Sequence, residues 1–160
     1  MSNEPNIFSS GIRGDVILGK NVKIVTPVNL YGCEVGEDCF IGPFTEIQKD
    51  VVIGKQTKIQ SHSFICELVR IGDNCFIGHG VVFINDLFQN NGPAGGNKDL
   101  WKKTTLGNRV SIGSNASILP VNICDDVVIG AGSVVTKDII KSGVYAGNPA
   151  RFIKKLNNRS

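Results

Sequence analysis

Between Val35 and Val82 the apolar residues return every six positions without a slip. Cut from Val35, the chain reads VGEDCF, IGPFTE, IQKDVV, IGKQTK, IQSHSF, ICELVR, IGDNCF and IGHGVV. The first position is always Ile or Val, the second is usually Gly, and the fifth is always small or β-branched (Cys39, Thr45, Val51, Thr57, Ser63, Val69, Cys75, Val81). Two apolar beats per six residues match neither a heptad nor the strict alternation of an isolated strand. A fixed short period means a repeat architecture in which each unit covers its neighbour. The physical solution is a solenoid of short parallel strands, with the first position pointing into a narrow core and the fifth packed beside it. Gly is expected in the tight turns.

After Phe83 the beat stops, and it resumes as LGNRVS, IGSNAS, ILPVN with one residue lost, ICDDVV and IGAGSV. The interruption, about residues 84 to 105, is long for an idle connection, and loops of this length in compact domains usually carry function. Leu87, Phe88 and Trp101 are its expected packing anchors. We read it as an arm and not an idle connection; under the family resemblance given below, it would reach a neighbouring subunit and wall off an active site. Its "GGNKD" is no phosphate-binding loop, because the Gly-Lys-Ser/Thr ending and a following helix pattern are both missing.

Composition narrows the class. Nineteen glycines among 160 residues favour short strands and turns over helical bundles, and a net charge of +3 with interleaved signs disfavours a nucleic-acid partner outside the basic tail "RFIKKLNNR". The five cysteines form no C-x-x-C pair and are odd in number, so reduced thiols are expected rather than disulfides or zinc. Cys39 and Cys75, at fifth positions, are expected to be buried as small hydrophobes. The N-terminal "MSNEPNIFSS" has no leader pattern and no run reaches membrane-spanning length, so a soluble cytoplasmic protein of one domain, residues 1–160, is expected.

The hexads, the phrase "IGAGSVVTKDI" and the terminal "VYAGNPARFIKKL" resemble the left-handed β-helix acyltransferases of the hexapeptide-repeat superfamily. That resemblance, and not the periodicity, implies left-handed winding, three hexads per triangular coil, a homotrimer, active sites between subunits and acetyl-CoA as donor. The expected fold is all-β: a left-handed parallel β-helix with one protruding loop and a short C-terminal tail. The phrases "VNLYGCEVGEDCFIGPFTEIQKDVVIG", "SHSFICE" and "GVVFIND" are similar to the subgroup that acetylates nucleotide-linked 3-amino sugars for bacterial surface polysaccharides such as O-antigen or S-layer glycan.

With three hexads per coil, residues eighteen apart stack at about 4.8 Å. Lys49, Glu67 and Asn85 then share a column, with Asp86 beside Asn85 above Leu68 and Asp50. In the subgroup the Asn matching Asn85 lies near the sugar amine, and its acidic partners match Glu67 and Asp86. Acyl transfer to an amine needs a neutral nitrogen, a polarised thioester carbonyl and a proton exit. A sugar amine titrates near neutrality, so positioning by Asn85 through its amide oxygen can suffice, and an ordinary carboxylate is a poor base unless burial raises its pKa. His79 is the other catalytic candidate and His62 a weaker one, since either imidazole can accept a proton. For CoA, the small residues Ser114, Gly130 and Ala131 allow close approach to the pantetheine amides, and Lys137, Arg151, Lys154 and Lys155 offer charge for the phosphates.

The expected activity is acetyl-CoA-dependent N-acetylation of a dTDP-linked 3-amino-3,6-dideoxyhexose, without a metal. A UDP-linked 3-amino uronic acid is the alternative sugar. It would favour a bidentate Arg near the C6 carboxylate, whereas residues 84 to 105 carry Lys98, Lys102 and Lys103 but no Arg, and the apolar Leu87 and Phe88 suit a C6 methyl. O-acetylation of a sugar or serine hydroxyl would need a committed His base. A metal-dependent hydratase-like β-helix would need three liganding histidines, and the chain has two. A purely structural scaffold would leave the arm and the Glu67, Asn85 and Asp86 cluster without a role.

Overall fold

The computed structural model describes residues 9–157. The start of "MSNEPNIFSS" and Arg159 of the basic tail lie outside the described residues. Two- to four-residue strands build three parallel sheets that close around one core. The first face runs through Ile17–Leu18, Glu34–Val35, Val52–Ile53, Val69–Ile71, Thr104–Leu106 and Asn122–Ile123. The second runs through Lys23–Ile24, Phe40–Ile41, Lys58–Ile59, Phe76–Ile77, Ser111–Ile112, Val127–Ile129 and Gly143–Ala146, and ends on the antiparallel Arg151–Lys154. The third runs through Asn29–Leu30, Glu46–Ile47, Phe64–Ile65, Val82–Phe83, Ser117–Ile118 and Val134–Val135.

The six-residue beat is the burial pattern. From Val35 to Ile77 every first position is buried, as is every fifth position from Cys39 to Val81. Phe83 takes the next first position and is fully enclosed. Cys39 and Cys75 fill fifth positions as expected, and all five cysteines are free thiols. Burial pushes the Cys33 thiol up to about 11 and the Cys66 thiol up to about 12. Such thiols stay protonated and serve as packing atoms.

The expected eighteen-residue stacking holds in the middle of the solenoid, where Phe40 pairs with Lys58 and Lys58 with Phe76. On either side the separation is seventeen, as in Lys23 with Phe40 and Ser111 with Val128. One corner per coil is a residue shorter there, as in "ILPVN".

The second-position glycines correct the sequence expectation. They are not the turn residues, because Gly36, Gly42, Gly54, Gly72 and Gly78 are absent from the positive-φ positions. A Cβ at Gly54 would stand 2.6 Å from the carbonyl carbon of Gly72, so the glycines admit the backbone of the next coil. The left-handed corner falls instead at the fourth position, occupied by Asp38, Phe44, Asp50, Gln56, His62, Leu68 and Asn74 with φ between 55° and 72°. The corner amides of Asp38, Phe44, Asp50, Gln56, His62 and Asn74 each find a carbonyl one coil below, as in Gln56 N–H to Glu37 O at 2.9 Å. That bond offsets the cost of left-handed backbone for residues with a Cβ.

Candidate active site

The arm leaves the third face after Phe83 and rejoins the first face at Thr104. Thr104 pairs with Val69 at a separation of 35, so the coil resumes in register across the insertion. The Lys102 amide donates to the Asn85 carbonyl at 2.9 Å and closes the arm at its root. Within the arm, Lys98–Leu100 form a single 3-10 turn capped by Asn97, which accepts from the Asp99 amide.

Asn85 sits at that root, in the column the sequence assigned it. Its Nδ2 donates to the Glu67 carbonyl at 3.3 Å. The reverse amide orientation would set two oxygens against each other, so Oδ1 is the acceptor and has no partner among the described residues. Glu67 lies directly below, with its side chain largely covered, and its carboxylate takes a 2.7 Å ion pair from Lys98. That hydrogen bond raises the Lys98 pKa, and the same ammonium lies 5.2 Å from the Trp101 ring centre. The Glu67 amide donates to Gln48 Oε1, and Gln48 and Asn29 both donate to the Glu46 carboxylate, so a polar ladder backs the cluster. Asp86 turns inward on the arm, where its two oxygens accept from the amides of Phe88 at 2.9 Å and Ala94 at 2.7 Å. Asn85 and Glu67 therefore meet as expected, but Asp86 is spent on shaping the loop.

A cavity of about 350 Å³ lies between the arm and the third face, lined by Phe64, Cys66, Val82, Asn85, Phe88 and Trp101 among others. Its walls are largely apolar, with Gln48, Asn85 and Asp86 as the polar lining residues. Of the three expected anchors only Trp101 is half-buried; Leu87 and Phe88 are exposed. The reason is local: Phe88 takes a left-handed φ of 53° in the turn that Asp86 caps.

His79 stands at the opposite edge of the third face, six residues from Asn85, which an extended strand spans with at most about 20 Å. The Val82–Phe83 strand lies between them, and among the described residues no hydrogen bond joins the two. Ser61 Oγ and His79 Nδ1 share a 2.8 Å hydrogen bond, which leaves Nε2 without a protein partner among the described residues. Ser61 was missed in the sequence, although it lies eighteen residues before His79 and the column rule would have found it. His62 lies beside Ser61 and stacks on Phe44.

The residues proposed for CoA separate. Registers of Ile77 with Ile112 and Ile112 with Ile129 put His79, Ser114 and Ala131 in one column, with Gly130 alongside. Arg151 pairs with Ala146 just beyond that column, and its exposed guanidinium donates to the Ala150 carbonyl. Lys137 is exposed above the corner that carries Asn85. Lys155 lines a different cavity, of about 550 Å³, with Arg109, Asp126 and Lys141. Lys154 is exposed on the last strand. The four small and basic residues Ser114, Gly130, Ala131 and Arg151 thus form one group, which Lys137 and Lys155 do not join.

Among the described residues, no group of three or more His, Cys, Asp and Glu is arranged to hold a metal, and no helix is long and apolar enough to cross a membrane. Residues 32–67 match the bacterial transferase hexapeptide family (six repeats), and residues 68–84 and 103–137 match the hexapeptide repeat of succinyl-transferase. The matches stop where the arm begins and restart where it ends. The chain belongs to the hexapeptide-repeat superfamily of left-handed β-helix acyltransferases. Within it, the galactoside O-acetyltransferase of Escherichia coli K12 is 55% identical over 56 residues, 34% of this chain and 28% of that protein. A macrolide acetyltransferase of Lysinibacillus sphaericus, so described as probable, is 33% identical over 122 residues, 59% of this chain and 63% of that protein. The chain spans less than two thirds of the length of both relatives. A crystal structure of a mutant of AntD, an N-acyltransferase from Bacillus cereus in complex with dTDP and coenzyme A, is 26% identical and superposes with a TM-score of 0.76 over 88% of this chain and 84% of that one.

Proposed function

We propose that the protein is an acetyl-CoA-dependent N-acetyltransferase whose acceptor is the 3-amino group of a dTDP-linked 3-amino-3,6-dideoxyhexose. The observation that carries this is Asn85: its Nδ2 is tied to the Glu67 carbonyl, Oδ1 has no partner among the described residues, and the residue lines a largely apolar cavity. An amide oxygen accepts from an amine and holds its lone pair toward a thioester carbon, but it takes no proton. Such a site suits a nucleophile already neutral in part at working pH. The carboxylates support the same view, since Glu67 is paired with Lys98 and both oxygens of Asp86 are engaged by backbone amides. The likeness to AntD, an N-acyltransferase in complex with dTDP and coenzyme A, supports the nucleotide and the donor. In this reading the CoA thioester reaches the amine from the column of Ser114 and Ala131, with Arg151 toward the phosphates. The working form is then a cytoplasmic homotrimer in which a neighbouring subunit brings that column to Asn85, and the exposed Leu87 and Phe88 face the partner or a C6 methyl. The product would enter O-antigen or S-layer glycan synthesis.

One observation favours a second reading, O-acetylation of a sugar hydroxyl. The Ser61 bond orients His79 as an oxygen nucleophile's base would be oriented, and the galactoside enzyme acts on oxygen by name.

The deciding assay follows thiol release from acetyl-CoA with dTDP-linked 3-amino-3,6-dideoxyhexoses, UDP-linked 3-amino uronic acids and the matching 3-hydroxy sugars. The dTDP amine is expected to lead by at least about tenfold in kcat/KM, roughly 1.4 kcal/mol of discrimination. A lead for the hydroxy sugar would overturn N-acetylation, and a lead for the uronate would overturn the choice of sugar alone.

A further inference from the structure

The corner between the second and third faces carries a stack that the acetyl-transfer chemistry does not use. Its left-handed fourth positions are, in ascending order, Phe44, His62, Gly80 and Asn115, with φ of 60°, 62°, 64° and 59°. Left-handed backbone is the rule at this corner, so what sets Phe44 and His62 apart is the choice of an aromatic ring at each. Phe44 is nonetheless 57% exposed, so its ring is not there to fill the core. The Phe44 and His62 rings lie 4.8 Å apart at 16°, a stacked pair spaced by one coil. The next level is Gly80, which has no side chain, and Asn115 then closes over it: a Cβ on Gly80 would stand 2.5 Å from Asn115 Oδ1. The His62 imidazole is therefore an exposed ring braced from below by Phe44, with no side chain on Gly80 above it and the Asn115 amide reaching toward that level. A flat heteroaromatic ring suits it, because aromatic faces bind bases by stacking with little regard to sequence.

Beside this platform, the second face holds a groove lined by Lys23 and Lys58 together with Asn21, Asp38, Phe40 and Gln60. Asp38 already accepts from Asn21, while both lysines are exposed. Gln60 leads from Lys58 to His62 along the chain, so cationic charge and the stacking face belong to one stretch.

We propose that the Phe44–His62 stack is a nucleoside-phosphate subsite, with a nucleobase on the His62 ring and its phosphates toward Lys58. The proposal deepens the function above and rests on it, since both the nucleotide sugar and CoA carry a nucleoside phosphate. The two sources are separated by their probes: dTDP for the sugar substrate, adenosine 3′,5′-bisphosphate for CoA.

The test is isothermal titration calorimetry of the full chain with each probe, comparing wild type, His62→Gly and His62→Phe. Glycine removes the ring without straining the left-handed corner, and Phe restores a flat face, as Phe44 does one coil below. One of the two probes is expected to bind roughly five- to a hundredfold more weakly to His62→Gly, the size of effect that losing one stacking partner produces, and to return close to wild-type affinity in His62→Phe. Ribose 5-phosphate, which has no base, should not distinguish the three proteins. Equal affinities in wild type and His62→Gly, a Phe variant as weak as the Gly variant, or a wild type that binds neither probe would each overturn the subsite. Failure of the acetyl-transfer reading shows separately, as absent thiol release by the wild type across the sugar panel.

Discussion

The regular coils and the arm obey different rules. In the coils, position in the hexad decides everything: first and fifth residues are buried, the second admits the neighbouring backbone, and the fourth turns the corner. Apolar burial supplies the stabilisation, and a misplaced methyl group is felt because adjacent backbones nearly touch. The arm has almost none of this. It is held by polar contacts, namely Lys102 to Asn85, Lys98 to Glu67 and Asp86 to Phe88 and Ala94, and most of its side chains face water. In the proposed reading the coils carry the stability and the arm with its root carries acceptor recognition, and a substitution should affect whichever property its region carries.

The sharpest contrast is between two glycines. Gly54→Val should destabilise the fold by more than about 3 kcal/mol in urea unfolding, because its Cβ meets the Gly72 backbone. Gly92→Ala in the arm, where no atom stands within 4 Å of a new Cβ, should leave the midpoint unchanged. Similar midpoints for the two variants would break the comparison. Next in size is Asn85→Ala, expected to lower kcat at least about tenfold with CoA affinity and unfolding midpoint nearly intact. A near-normal kcat would shift the chemistry to His79. Lys98→Met should lower kcat severalfold, and wild-type activity should fall with added salt while the variant's does not, since an exposed ammonium is screened. Salt profiles that coincide would remove Lys98 from the site.

The last effect belongs to the coils alone and shows only in alkali. Burial raises the Cys33 thiol from 9.0 to about 11 and the Cys66 thiol from 9.0 to about 12. An acid with a raised folded pKa binds its proton more tightly in the folded state, so this contribution is whole below pH 9 and is lost as pH rises toward 11 and 12. Unfolding midpoints should therefore decline above pH 9. Cys33→Ser and Cys66→Ser proteins that keep the whole decline would refute the assignment.

What could be read from the sequence follows the same division. Ile41, Ile59 and Ile77, with Cys39 and Cys75 beside them, were identified as core because periodic burial is written in periodic side chains. The column of Glu67 and Asn85 was legible for the same reason, since it needs only the coil length. The left-handed corner was not. Its residues range from Asp38 to Phe44 to Gln56, because the inter-coil hydrogen bond tolerates any of them, and the glycines nearby suggested the wrong position. The occupation of Glu67 by Lys98 and of Asp86 by its own loop could not be read either. Both depend on how an aperiodic stretch folds back, and no residue type or spacing in "NNGPAGGNKDLWKK" encodes that path. The family resemblance supplied the handedness and the role proposed for Asn85, neither of which the hexads contain.

The closure of the arm at its root has a consequence for how chains of this kind diversify. Because Lys102 bonds back to Asn85 and Thr104 resumes pairing with Val69, the solenoid registers the insertion only as a pair of fixed endpoints. Its length is nearly invisible to the fold, since doubling a flexible loop costs only about 0.6 kcal/mol in closure entropy. The arm is therefore a cassette. Grafting a longer or shorter one between those two endpoints should exchange acceptor preference while the coil beneath keeps its thermal stability, so new specificities can be sampled without renegotiating the scaffold.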